Sequence, residues 1–166
     1  MKKADKIVIA VAVLLAIVVF PVYYEIFHAS RTEGSIQIRG AVGNPEDLTF
    51  SQIEAFSSVT TFFGARSILL GESGGFNYTG VPLMVVLEQA RISPNASSVF
   101  IQAPDGFAVT LSIEEAKESN TILAYQKNGA TMTSLSVGGE GPVRLVIGGD
   151  AFPMRWVKGV SLIEVR

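Results

Sequence analysis

Arg144, Arg155, Trp156 and Lys158 stand near one another in the sequence, with the doublet Gly148-Gly149 between the first two. Guanidinium and ammonium groups beside an aromatic ring suit an anionic ligand, because they offer charge-assisted hydrogen bonds to phosphate, sulfate or carboxylate oxygens. Arg155 and Lys158 are three apart, and Arg144 opens an apolar run ahead of them. A connection crossing the strand ends would bring the three cations to one groove. The same spacing also describes three solvated basic residues at strand ends, and both readings stand at this point.

Other reactive residue types carry less. The sequence has no cysteine, which removes disulfides, thiolate zinc sites, Fe–S clusters and Cys nucleophiles. Its single histidine, His28, lies just past a long apolar run and reads as an interfacial polar residue, so no Ser-His-Asp set is available. Gly71-Glu72-Ser73-Gly74-Gly75 matches neither the dinucleotide fingerprint nor the phosphate loop and reads as a connecting loop. Glu114 and Glu115 fall in the first turn of a short helix, where carboxylates favour the positive end of the macrodipole. Asp105, within Pro104-Asp105-Gly106, reads as a turn former that a loop position leaves open to ligands.

The elements that must position these residues occupy a chain of 166 residues, enough for one domain and an appendage. Hydrophobic residues are 48% and charged residues 17%, with mean hydropathy +0.39, which is more apolar than a typical soluble chain. Much of the excess is local. Residues 7–24 carry no charge, and at ~1.5 Å per residue they nearly match the ~30 Å hydrocarbon core of a bilayer. Lys2, Lys3 and Lys6 precede the run and Tyr23 and Tyr24 close it, so the basic end is expected to stay in the cytoplasm. A cleaved signal peptide is the competing reading, although Phe27, His28, Ala29 and Ser30 give no clean small-x-small site. The expected organisation is therefore a cytoplasmic N-terminus (1–6), a transmembrane anchor (7–24), a linker (25–34) and an extracytoplasmic domain (35–166). The chain would sit in the cell membrane as a single-pass protein. A net charge of -2 argues against nucleic acid as a partner.

Within 35–166, Ser35 to Arg39 alternates as a half-buried strand and Gly43-Asn44-Pro45 breaks it. Thr49 and Gln52 form a capping box ahead of Phe50, Ile53 and Phe56, and Ser112 and Glu115 form another ahead of a helix over 113–119. Val59–Phe63 and Arg66–Leu70 read as strands paired around Gly64-Ala65. Gly80-Val81-Pro82 introduces a helix with Leu83, Val86, Leu87 and Ala90 on one face. Hairpins are expected for Ser98–Ala103 with Phe107–Leu111, and for Thr121–Tyr125 with Met132–Leu135 across Lys127-Asn128-Gly129. Val143–Ile147 and Val160–Val165 complete the set. Strands with a few short helices and no βαβ alternation give an α+β fold of mixed β-sheets.

Taken in order, Arg39-Gly40-Ala41-Val42-Gly43-Asn44-Pro45, Gly80-Val81-Pro82-Leu83, Asp105-Gly106-Phe107, Ile122-Leu123-Ala124-Tyr125, Gly141-Pro142-Val143-Arg144-Leu145-Val146 and Arg155-Trp156-Val157-Lys158 resemble the molybdopterin-binding domain of the sulfite oxidase family. The resemblance implies a molybdopterin-binding-domain-like fold with a pterin groove. Catalytic members hold molybdenum through a cysteine thiolate, and the matching place here falls at Gly71 or a neighbour, so the resemblance implies a cofactor-lost or cofactor-altered relative. It also implies that Arg144, Arg155 and Lys158 meet a pterin phosphate or an anionic substrate, and that Gly71, Phe76, Tyr78, Asp105 and Asp150 line the same groove. No cofactor is expected on this reading, and molybdopterin is the one the resemblance admits. The leading expectation is a membrane-anchored extracytoplasmic binding domain for a small anionic ligand or an envelope protein. The alternative is a pterin-containing oxidoreductase, or an electron-transfer partner, of that family. A purely structural role in envelope assembly is a third.

The lysine bias generates a test. Protease added outside intact cells is expected to digest the C-terminal domain of the parent chain, whereas replacing Lys2, Lys3 and Lys6 together by Glu should give mixed orientations. Complete protection of the parent domain would refute the stated topology.

Overall fold

The computed structural model describes residues 34–65, 74–151 and 153–166. The expected anchor, the linker up to residue 33, the expected strand Arg66–Leu70 and Gly71 lie outside them. Among the described residues the chain forms two five-stranded sheets and three short α-helices. The first sheet comprises β1 (Ile36–Gly40), β2 (Glu46–Leu48), β5 (Ser98–Gln102), β6 (Ala108–Ser112) and β10 (Leu162–Val165), in the order β2-β1-β10-β5-β6. Within it β1 and β10 are parallel, and the other pairs are antiparallel. The second comprises β3 (Val59–Ala65), β4 (Gly74–Pro82), β7 (Thr121–Lys127), β8 (Ala130–Thr131) and β9 (Arg144–Ile147). Here β7 has β4 on one side and β8 and β9 on the other, all antiparallel.

Burial explains the strand patterns. Ile36 and Ile38 are buried while Gln37 and Arg39 are only half-buried, so β1 alternates as a one-sided strand should. Thr121 to Tyr125 are all buried, because β7 is central and covered on both faces. The two sheets share one apolar core, with Ile101 and Ile163 from the first, Val81, Leu123 and Leu145 from the second, and Leu83 and Leu87 from a helix.

The helices begin where the capping signals lie. In α1 (Phe50–Glu54) the Thr49 hydroxyl accepts from the Gln52 N–H, and the Gln52 side chain accepts from the Thr49 N–H at 2.8 Å. In α3 (Ile113–Lys117) Ser112 and Glu115 make the same reciprocal pair. Each satisfies two backbone donors that the first turn leaves unpaired. By contrast α2 (Leu83–Gln89) has no side-chain cap and is held by burying Leu83, Val86 and Leu87.

Two local expectations are corrected. Gly64-Ala65 is not a turn: β3 runs through it and pairs with β4 from Val59↔Gly80 to Ala65↔Gly74. Gly80-Val81-Pro82, which does lead directly into the helix at Leu83, is at the same time the end of the nine-residue strand β4. Met132–Leu135 is not a strand either, since β8 ends at Thr131 and a 3₁₀ turn follows over Leu135–Val137. Asn128 and Gly129, at φ 53 and φ 78, do form the expected tight turn.

Gly80 sits where the β4–β7 register shifts between Thr79 and Gly80. A Cβ there would lie 2.2 Å from the Leu123 carbonyl oxygen and 2.4 Å from the Ala124 Cα, and backbone cannot move aside as a side-chain tip can. Gly80→Ala is therefore expected to cost about 3 kcal/mol or more in chemical denaturation. Gly106→Ala, at φ 90 with open space around it, should cost only about 1–2 kcal/mol. Equal effects would contradict this account of the strand crossing.

Candidate functional site

Strand β9 and the segment after it run antiparallel for a few residues. Leu145 N–H donates to the Val157 carbonyl at 2.9 Å, Val160 N–H donates to the Val143 carbonyl at 2.9 Å, and Arg144 and Lys158 face each other in a lone bridge. That pairing puts the two cations beside one groove of about 430 Å³. One wall is the β5–β6 turn, with Ala103, Asp105 and Phe107; the other is the 3₁₀ turn Pro153–Arg155, with Pro153 and Met154. Arg144, Trp156, Lys158 and Glu140 complete the lining. The Asp105 carboxylate accepts from the Phe107 N–H at 2.9 Å, which fixes the turn that forms the wall.

Arg144 is only 6% exposed. Its guanidinium donates to Glu140, lies 5.2 Å from the Trp156 ring centre and 5.8 Å from that of Tyr78. Glu140 accepts in turn from Lys127 Nζ at 3.1 Å. Burial pushes the Glu140 carboxyl up, but Arg144 and Lys127 outweigh it and hold the group below the usual carboxylate range. Burial raises the Tyr78 phenol above its ordinary value despite the nearby Arg144 cation. Trp156 packs edge-on against Phe63 at 4.4 Å and Tyr78 at 5.5 Å. Arg144 Nε and Trp156 Nε1 are both buried N–H donors without a hydrogen-bond partner among the described residues. Lys158 is exposed and has no carboxylate partner among them.

The candidate residues thus divide. Arg144, Lys158 and Asp105 meet at the groove. Tyr78 stands behind Arg144, and Phe76 stands one step further, 6.4 Å from Tyr78 and under Lys127 Nζ at 4.1 Å. Arg155 and Asp150 go elsewhere: Arg155 pairs with Asp150 and donates to Glu115 at 2.8 Å, tying the turn after β9 to α3. The Ser112 N–H of the capping box, followed by Arg155, holds Glu115 below the usual carboxylate range, and Asp150 and Glu115 hold Arg155 above its ordinary value. Convergence of three cations is therefore replaced by two cations at the groove and a third in an ion-pair network.

Glu140 escaped the sequence reading. It lies four residues before Arg144, a spacing that signals pairing on helices, but Gly138-Gly139-Glu140-Gly141-Pro142 is not a helix. Phe107, 45% exposed at the groove, lies in the motif Asp105-Gly106-Phe107 but was not read as a site residue, and Met154, 81% exposed there, carried no motif that marked it.

Residues 25–166 match the family described as oxidoreductase molybdopterin binding domain. The uncharacterized oxidoreductase YuiH of Bacillus subtilis (strain 168) is 24% identical over 111 residues, covering 67% of this chain and 54% of the relative. The chain thus spans about half the length of that relative. Among solved structures, the sulfane dehydrogenase SoxCD from Paracoccus pantotrophus superposes with a TM-score of 0.67 at 22% identity, covering 82% of this chain and 39% of that one. That likeness establishes the fold.

The donor set does not fit a thiolate-held molybdenum centre. The chain contains no cysteine, and among the described residues no three His, Cys, Asp or Glu side chains gather as metal ligands. The acceptors of an organic ring system are better matched, by the two unpartnered N–H groups and Lys158.

Burial separates the two groove cations energetically. Arg144→Ala is expected to destabilise the domain by about 3–5 kcal/mol, since it strands Glu140 in a desolvated site. Lys158→Ala should change stability by less than about 1 kcal/mol. Thermal and urea unfolding check this, and a silent Arg144→Ala would refute the pairing.

Proposed function

The chain belongs to the oxidoreductase molybdopterin binding domain family, and from that premise we propose that it is a membrane-anchored extracytoplasmic binding domain that has kept the family's groove and lost its molybdenum chemistry. The observation that carries this reading is the combination of a chain without cysteine and a formed groove lined by Asp105, Phe107, Arg144, Trp156 and Lys158. A soft thiolate is the ligand type that the family's metal site calls for, and the chain has no cysteine to supply it. The groove supplies instead what a small organic anion needs, an exposed ammonium and an apolar rim, beside lining side chains whose Arg144 Nε–H and Trp156 Nε1–H lack partners among the described residues. Anchoring through residues 7–24 would hold the domain outside the cytoplasm, where the ligand or an envelope protein is met. Membership of a fold family does not carry activity with it, because activity resides in the site.

A second reading has its own support. Arg144 Nε and Trp156 Nε1 have no hydrogen-bond partner among the described residues, and a retained pterin would offer acceptors for them, making the chain a pterin-containing oxidoreductase or an electron-transfer partner.

Full-length protein purified from membranes of its own host in mild detergent separates the two. Elemental analysis is expected to give no stoichiometric molybdenum, and acid release no fluorescent pterin. Stoichiometric molybdenum with extractable pterin would overturn the first reading in favour of the second.

A further inference from the structure

Among the described residues two carboxylates and two cations line the groove, Asp105, Glu140, Arg144 and Lys158, and their formal charges sum to zero. The two cations are not equally available. Arg144 is committed to Glu140, whose other oxygen takes Lys127, and the side chains of these three residues are only 8–22% exposed. An incoming anion that sought the guanidinium would have to displace a carboxylate already desolvated and clamped from two sides. Removing that carboxylate from its partners is costly, because charges buried together lose more on separation than exposed ones do. What Arg144 leaves unused is its Nε–H, which together with the Trp156 Nε1–H asks for a hydrogen-bond acceptor rather than for a full charge. Lys158, exposed on the facing segment, then supplies the groove's one uncommitted positive charge among the described residues.

We infer that Glu140 is the specificity-determining residue of this groove, an internal counter-ion of Arg144 that restricts the ligand to an aryl or similarly compact organic group with a single negative charge and turns away dianions. The ligand's acceptor meets the two N–H donors, its charge meets Lys158, and its apolar body lies against the exposed Phe107 and Met154. This rests on the groove being the ligand site proposed above.

Benzenesulfonate and phenyl phosphate test it as a pair, since both carry a tetrahedral head on a phenyl ring. At pH 8 the first is a monoanion and the second a dianion, phosphate monoesters losing their second proton near pH ~6. Titration calorimetry on the full chain in detergent is expected to show benzenesulfonate binding about tenfold tighter than phenyl phosphate. Glu140→Gln should raise phenyl phosphate affinity about tenfold and leave benzenesulfonate within about threefold. Lys158→Gln, at an exposed position that does not threaten folding, should weaken benzenesulfonate about tenfold. Equal affinity for the two probes in the parent chain, unchanged phenyl phosphate affinity in folded Glu140→Gln, or full benzenesulfonate affinity in Lys158→Gln would each overturn the role given to Glu140. Binding of neither probe to the parent chain or to any variant removes the groove as an anion site, and this inference with it.

Discussion

A guanidinium that is 6% exposed must have a counter-charge within reach, and much of the site follows from that requirement. Arg144 opens β9 and is fixed by strand pairing on both sides, to β7 at Ala124 and to the facing segment at Lys158. Its head is held in turn by Glu140 and by the rings of Trp156 and Tyr78. Glu140 answers it from the glycine-flanked loop just ahead of β9, and Lys127 at the end of β7 answers Glu140. Lys127 in turn covers Phe76. A single buried cation thus orients a loop, a strand end and an aromatic face, and the groove is the space left beside them.

Around that pair the fold works by crossing distant parts of the chain. Sheet one joins β1 to β10 in parallel and β10 to β5 in antiparallel register, so residues from both ends of the domain and from its middle share one surface. Sheet two brings the motif Gly80-Val81-Pro82 against Ile122-Leu123-Ala124. Trp156, stacked edge-on to Phe63 and Tyr78, connects the segment ahead of β10 to this second sheet. The Arg155 pairs with Asp150 and Glu115 are more exposed and contribute less, but they hold the groove wall to α3. Because Glu115 titrates below the usual carboxylate range, whatever it adds to stability is present above that range and is lost as pH falls through its folded value.

Legibility in the sequence followed the distance over which a signal acts. Capping boxes at Thr49 and Ser112 and the turn at Pro104-Asp105-Gly106 need only three or four residues to declare themselves, and each is where it was expected. The ordered motifs likewise gave the family. The extent of β3 and its pairing with β4 did not show, because a glycine inside a strand has the same local signature as a glycine in a turn. The three residues of β2 form where Arg39 donates to the Glu46 carbonyl at 2.9 Å and β1 offers a ladder, so no alternation betrays them. In the site, Arg144 and Lys158 were visible as residue types, whereas the diversion of Arg155 depends on Glu115, forty residues away. Glu140 was hidden because its relation to Arg144 is made by a loop.

The position of β10 in the first sheet also governs the order in which the domain can be completed. This strand comes after all the others in the described domain, yet it lies between β1 and β5 rather than at an edge. Until residues 162–165 arrive, β2-β1 and β5-β6 are two separate antiparallel pairs with unpaired inner edges, and neither two-stranded pair is stable alone. Joining β1 to β10 closes a loop longer than a hundred residues, at a chain-entropy cost of about 4 kcal/mol, which only the assembled core repays. A chain emerging gradually from a ribosome would therefore remain open along this seam until β10 was free, and the domain would fold in one late, cooperative event rather than from β1 forward.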